Sequence, residues 1–198
     1  PAVWLADKDG VFKVADKDKK LKLGIWVEQY DANKVKIDPF SVCPAPGAAV
    51  APLAAAAKKG DKVLKFSKDV LWKMNNNLIY SVVFNAKEDF SDVPNPDFAG
   101  IKKIEAKGAN VDVELSEPLA KDYAVGTKVR LHRYFDEPNL NNTELTPNEW
   151  NEVSFLMSGE SPRGTPEDGK FWNGAKFIKV VIFCTAFDGS TLLFDDIK

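Results

Sequence analysis

Histidine is almost missing from this chain of 198 residues: His132 stands alone, beside two cysteines and three arginines among 27 basic residues. One histidine excludes multi-histidine metal sites, and a Ser-His-Asp triad would have to be built around that residue. Cys43 and Cys184 form no CxxC pair, which argues against zinc ribbons and thioredoxin chemistry. A disulfide between them and two free, half-buried thiols are both open on sequence alone. Arg130, Arg133 and Arg163 are too few for phosphate recognition by guanidinium forks. With 29 acids against those 27 bases the net charge is −2, so no global field holds nucleic acid or an anionic membrane. No run approaches the ~20 apolar residues that cross a bilayer as a helix, so no membrane insertion is expected. Nucleophile elbow, phosphate loop, HExxH and EF-hand signatures are also missing.

What is present is strand chemistry. Val3-Trp4-Leu5, Val11-Phe12-Lys13-Val14 and the stretch 21–30 are separated by Asp/Lys turns such as Asp7-Lys8-Asp9-Gly10. Further strands are expected at 63–66, 78–86, 98–106, 111–115, 127–135, 149–156, 177–185 and 191–197. Turn signals fall between them at the spacing of a sandwich or barrel. Long amphipathic helices are absent, which excludes a parallel α/β sheet. Between 38 and 58, four prolines sit among alanines, too many for an ordered sheet interior. That stretch reads as a long surface excursion, which could also pack along a sheet edge and protect it; Ala54–Lys59 could add a helical turn or two after Pro52. The expectation is one all-β domain over 1–198, a single antiparallel β-sandwich of jelly-roll type. The opening Pro1 suggests a processed product, as after signal-peptide removal, or an excised segment. Asn141-Asn142-Thr143 is a glycosylation sequon, a triplet that is common by chance.

Several segments, in order, resemble galactose-binding-like jelly rolls, the architecture of many carbohydrate-binding modules. Gly60-Asp61-Lys62-Val63-Leu64-Lys65-Phe66 is similar to an opening strand of those folds, and Phe98 to Gly108 to the one that follows. Asn148-Glu149-Trp150-Asn151-Glu152-Val153-Ser154-Phe155 is similar to their Glu-Trp-x-x-Val-x-Phe strand. Phe177 to Phe183 and Leu192-Leu193-Phe194-Asp195-Asp196-Ile197 are similar to the closing pair. The Pro/Ala stretch, and the lack of a Phe-Glu pair near the N-terminus, depart from the pattern. The resemblance implies a secreted or cell-surface module attached to a larger enzyme or surface protein. It also implies a structural Ca2+. Adjacent carboxylates on a closing strand point to opposite faces, so one of Asp195 and Asp196 needs a cation or donors. Asp7, Asp9 and Asp61 with backbone carbonyls could complete the six to eight hard oxygens calcium takes.

Candidate ligand contacts follow from residue type and setting. Trp72, just before Asn75-Asn76-Asn77, and Trp172, beside Asn173, lie in loops where an indole plane and amide groups together suit a pyranose. Trp150 and Phe155 belong to a regular strand and are assigned to the core. Arg130, His132 and Tyr134 alternate onto one strand face, which could grip hydroxyls, neutralise a uronate or perform β-elimination, or could simply be a solvated outer face. The leading expectation is a non-catalytic module recognising a polysaccharide or oligosaccharide. A jelly-roll lyase or hydrolase, and a structural or adhesive protein-binding domain, are the alternatives.

Overall fold

The computed structural model describes residues 2–7, 21–146, 149–185 and 190–195; within it, the side chains of 2–7, 140–142, 190–192 and 194–195 are not described. In chain order the strands are β1 (Ala2–Asp7), β2 (Lys22–Tyr30), β3 (Ala51–Pro52), β4 (Val63–Ser67), β5 (Tyr80–Phe84), β6 (Phe98–Lys107), β7 (Asn110–Leu115), β8 (Lys128–Arg133), β9 (Asn139–Glu144), β10 (Trp150–Glu152), β11 (Phe177–Thr185) and β12 (Ser190–Asp195). One short helix, α1 (Pro39–Val42), lies between β2 and β3. The chain is all-β, and every described strand pairing is antiparallel. No helix among the described residues is long and apolar enough to cross a membrane. The expected strand at Val11–Val14 lies outside the described residues.

Packing divides the chain into two compact units. The first is assembled from 1–28, 137–158 and 178–198. It holds two three-stranded sheets packed as a sandwich, in the orders β10-β1-β12 and β11-β2-β9. Period-two alternation in β2 explains its seat: Leu21, Leu23, Ile25 and Val27 are all buried. On the opposite side of β2, Trp26 packs on Phe183 with ring centroids 4.9 Å apart, and Lys179 pairs with Glu28 at 3.2 Å. Gly24 lies on that same side, and a Cβ there would fall 1.9 Å from the Phe183 ring. Glycine is what lets the phenyl ring lie flat on the strand.

The second unit, 29–136 with 159–177, contains a six-stranded sheet in the order β3-β8-β5-β6-β7-β4. Its ends meet. Leu53, next to β3, bridges Phe66 of β4, and Ala54 N–H donates to Lys65 O at 2.8 Å. Closure leaves no open edge at that seam and encloses Leu64, Phe66, Val82, Phe84, Val111, Val113, Leu115, Val129 and Leu131. The clean alternation of β7 and β4 produces this directly, each sending every second residue inward. Strand β5 differs, since all five of its residues are buried. Its inner face carries Tyr80, Val82 and Phe84, so Ser81 and Val83 must be covered from outside the barrel.

The Pro/Ala stretch does the closing. It runs on the outside as expected, with Pro46, Gly47, Pro52 and Ala54–Ala56 exposed, yet it turns Ala45, Ala51, Leu53 and Ala57 into the core. Asp38 caps α1 by accepting from Phe40 N–H at 2.8 Å, with Pro39 in the first turn where its missing N–H costs nothing. The helical turn expected at Ala54–Lys59 is not there. Ala57 instead exchanges both backbone hydrogen bonds with Tyr123, and this pairing overrides the small helix preference of alanine.

The Gly24–Phe183 fit predicts that Gly24→Ala lowers the stability of the first unit by roughly 1–3 kcal/mol, the usual cost of overpacking. Adding Phe183→Leu should recover part of that loss, as chemical denaturation of the single and double variants would register.

Candidate functional site

The row of Arg130, His132 and Tyr134 does share a face of β8, but that face is not solvated. Arg130 is 1% exposed and His132 0%. The reason is the covering the sequence pattern did not reveal: α1 and the loop 85–97 fold over the outside of the barrel. Arg130 Nη2 donates to Asp92 Oδ2 at 2.9 Å and Nη1 to Lys87 O at 2.7 Å, while Phe90 lies 4.8 Å from the guanidinium. Arg130 Nε donates to His132 Nε2 at 3.0 Å. His132 Nε2 therefore accepts, so the proton sits on Nδ1, which donates to Phe40 O at 2.9 Å. Burial first, and the Arg130 charge second, lower the His132 pKa to about 3. Burial alone would raise the Asp92 carboxyl. Hydrogen bonds from Asn95 and Lys87 N–H, together with the Arg130 charge, outweigh it and hold the group below its usual value. Tyr134 is half-buried, its ring edge-on to Phe40 at 5.2 Å. A neutral imidazole locked between a guanidinium and a carbonyl has no exposed nitrogen with which to move a substrate proton.

The loop tryptophans are also packed. Trp172 is 1% exposed, in a small cluster with Ile37, Val42, Cys43 and Val93 on the outside of the barrel, and its backbone N–H donates to Gln29 Oε1 at 2.7 Å. Its neighbour Asn173 spends its amide on Glu160 Oε1 and Ser161 O, at 2.9 and 2.8 Å. Trp72 is 8% exposed; its indole N–H donates to Ala49 O at 2.9 Å and its ring tilts against Phe66. Trp72 and Asn76 do come together, lining a cavity of about 400 Å³ with Met74 and Lys103.

Strand register keeps two of the expected calcium ligands, Asp7 and Asp195, apart. In the β1–β12 pair, Asp7 stands opposite Ser190 and Asp195 opposite Ala2, at the two ends of the ladder. Five residues of strand separate them by roughly 16 Å, too far to share an ion. Asp9 and Asp196 lie outside the described residues. Asp61 accepts from Lys58 N–H at 2.7 Å in its own turn. Among the described residues no group of three His, Cys, Asp or Glu side chains is placed to hold a metal. Cys43 and Cys184 are both free thiols.

Among the described residues, the most exposed aromatic is one assigned to the core. Trp150 on β10 is 55% exposed. Register sets it opposite Trp4, which in turn stands opposite the exposed Leu193 of β12. Glu152, two residues on and so on the same face, is exposed as well. The signal was available in the period: Trp150 and Glu152 share a parity, and a strand that buries Val153 must turn both outward. Compared with protein-family models, curated proteins and solved structures, the chain matches none.

Two outcomes follow for the buried network. Arg130→Met alone should cost about 3–5 kcal/mol by stranding the Asp92 charge, and Arg130→Met with Asp92→Leu should cost clearly less than the sum of the singles; additive losses in a denaturant cycle would contradict the pairing. His132 must stay neutral to remain folded, so the unfolded chain binds the extra proton. Stability should be level above pH 6.5 and fall by up to roughly 1.4 kcal/mol per pH unit as the pH drops towards 3. Denaturation between pH 7.5 and 5, above the carboxylate range, isolates this residue, and a flat profile there would contradict the burial.

Proposed function

We propose that the protein is a non-catalytic module that binds a polysaccharide or oligosaccharide through the outer face of the sheet β10-β1-β12. One observation carries the reading: Trp150 is 55% exposed although it stands on a strand, the most exposed aromatic among the described residues. The C–H face of a pyranose packs on such a plane, and Glu152 beside it offers carboxylate oxygens to sugar hydroxyls. The motif order that resembles galactose-binding-like modules points the same way. On this reading the module works at the cell surface or in secretion, holding an attached enzyme or surface protein near its glycan and so raising local concentration without chemistry. The lyase alternative loses its candidate machinery, because Arg130 and His132 are sealed beneath α1 and the loop 85–97.

A protein-binding reading has its own support. Ile178, Val180 and Ile182 are exposed along one face of β11, at the edge of its sheet. An apolar row at a sheet edge is the usual setting for strand addition by another chain.

Affinity gels cast with a panel of neutral and acidic polysaccharides separate the two. The saccharide reading expects retardation on at least one glycan, weakened at least tenfold by Trp150→Ala with the melting temperature unchanged. Retardation that Trp150→Ala leaves intact would move the site elsewhere. Free migration on every glycan would leave the protein-binding reading in its place.

A further inference from the structure

A second cavity, of about 540 Å³, opens in the barrel unit between the Pro/Ala stretch and the loop 164–166. Its walls are Pro44, Pro46, Phe90 and Pro166, with Thr165 at the margin and Arg133 as its one charged residue. Arg133 is the last residue of β8, on the same parity as Val129 and Leu131, which face the core. There, at the end of the strand, its half-buried side chain lines the cavity. The backbone there is fixed, with Arg133 N–H donating to Cys43 O at 2.9 Å.

Arg133 differs from Arg130 in what surrounds it. Arg130 has the Asp92 carboxylate; Arg133 has no acidic partner among the described residues, and its Nε is buried without a hydrogen-bond acceptor. The Cys43 thiol, its side-chain hydrogen-bond partner, is not a counter-ion, because burial outweighs that contact, raises the Cys43 pKa and keeps the sulfur protonated. A half-buried guanidinium with an unused donor is an expensive arrangement unless an anion completes it.

We infer that this cavity is a binding site for a small organic carboxylate with a compact apolar body, held by the Arg133 guanidinium and packed between the prolines and Phe90. One planar cation matches one carboxylate in a bidentate fork, whereas a phosphate dianion calls for further cations that the lining lacks. The volume is that of a small-molecule site, and walls of proline and phenyl favour a body that makes no hydrogen bonds. Gly164 shapes the entrance. It has φ +70°, and a Cβ there would stand 2.8 Å from the Phe90 ring, so only glycine lets that loop close against the phenyl. This site lies in the other unit from Trp150 and does not depend on the saccharide reading.

The test titrates the isotope-labelled full chain with 3-phenylpropionate, 3-phenylpropionamide, glucuronate and inorganic phosphate, following amide resonances. Saturable shifts at Ala48, Arg133 and Thr165 with 3-phenylpropionate are expected, at least tenfold weaker with the amide, with glucuronate and with phosphate, and weakened at least tenfold by Arg133→Gln. The acid–amide comparison is made on the unaltered protein, so it holds even if Arg133→Gln does not fold. Equal binding of acid and amide would overturn the assignment to Arg133. Tighter binding of phosphate or glucuronate would overturn the ligand class, and acid binding that leaves those three residues unmoved would overturn the site.

Discussion

A guanidinium buried against a barrel strand must be satisfied on every side, and that constraint organises the outer half of the barrel unit. Arg130 has four donor contacts: the two Asp92 carboxylate oxygens, Lys87 O and His132 Nε2. Each one ties down a different piece of chain. Asp92 and Lys87 bring in the loop 85–97, while His132 passes the constraint through its Nδ1–H to Phe40 O and so to α1. Asn95 completes the network by donating to both Asp92 Oδ2 and Phe84 O. Without those partners the charge would have to be exposed, and Ser81 and Val83 of β5 would lose their cover. A network of this kind adds little net stability compared with an apolar core, but breaking one partner is costly, which makes it a device for fixing one arrangement of loops.

The same segment that the network holds down also closes the barrel. From Cys43 to Leu53 the chain follows β8, with Ala45 N–H donating to Leu131 O and Leu53 N–H to Thr127 O. Its prolines fall at exposed or half-exposed positions while Ala45 and Ala51 turn inward, because a small side chain is what fits near the seam where Leu53 meets Phe66. Low side-chain volume, which reads in sequence as an absence of structure, is here the condition for two strands to approach.

Several strands were legible from sequence: β5 and β8 fall within their expected spans, and β4, β6 and β7 match theirs to within one residue, because each sends a face to a dry core. Strand β9 was not. Asn139-Leu140-Asn141-Asn142-Thr143-Glu144 is nearly all polar and no strand is expected there, yet it pairs with β2; backbone hydrogen bonding carried that pairing, and composition does not record it. The candidate site was misplaced for a related reason. Period two tells which residues share a face, but not whether a distant loop will cover that face. Arg130 and His132 were grouped correctly and exposed incorrectly. Trp172 and Trp72 sit in loops that pack, whereas Trp150 sits in a strand and is 55% exposed. Loop membership is a poor guide to exposure when the loop crosses a barrel wall.

Scaffold and surface are thus distinct: Arg130 and His132 belong to the barrel scaffold, and Trp150 stands exposed in the sandwich unit. The most direct check is the state of the single histidine in solution. Nitrogen-15 spectra of the imidazole in the folded chain should show the neutral tautomer protonated on Nδ1, unchanged from pH 7.5 to pH 5. An imidazole that titrates with a midpoint near 6.5, or that carries its proton on Nε2, would contradict the buried Arg130–His132–Phe40 chain and return that face to the solvent.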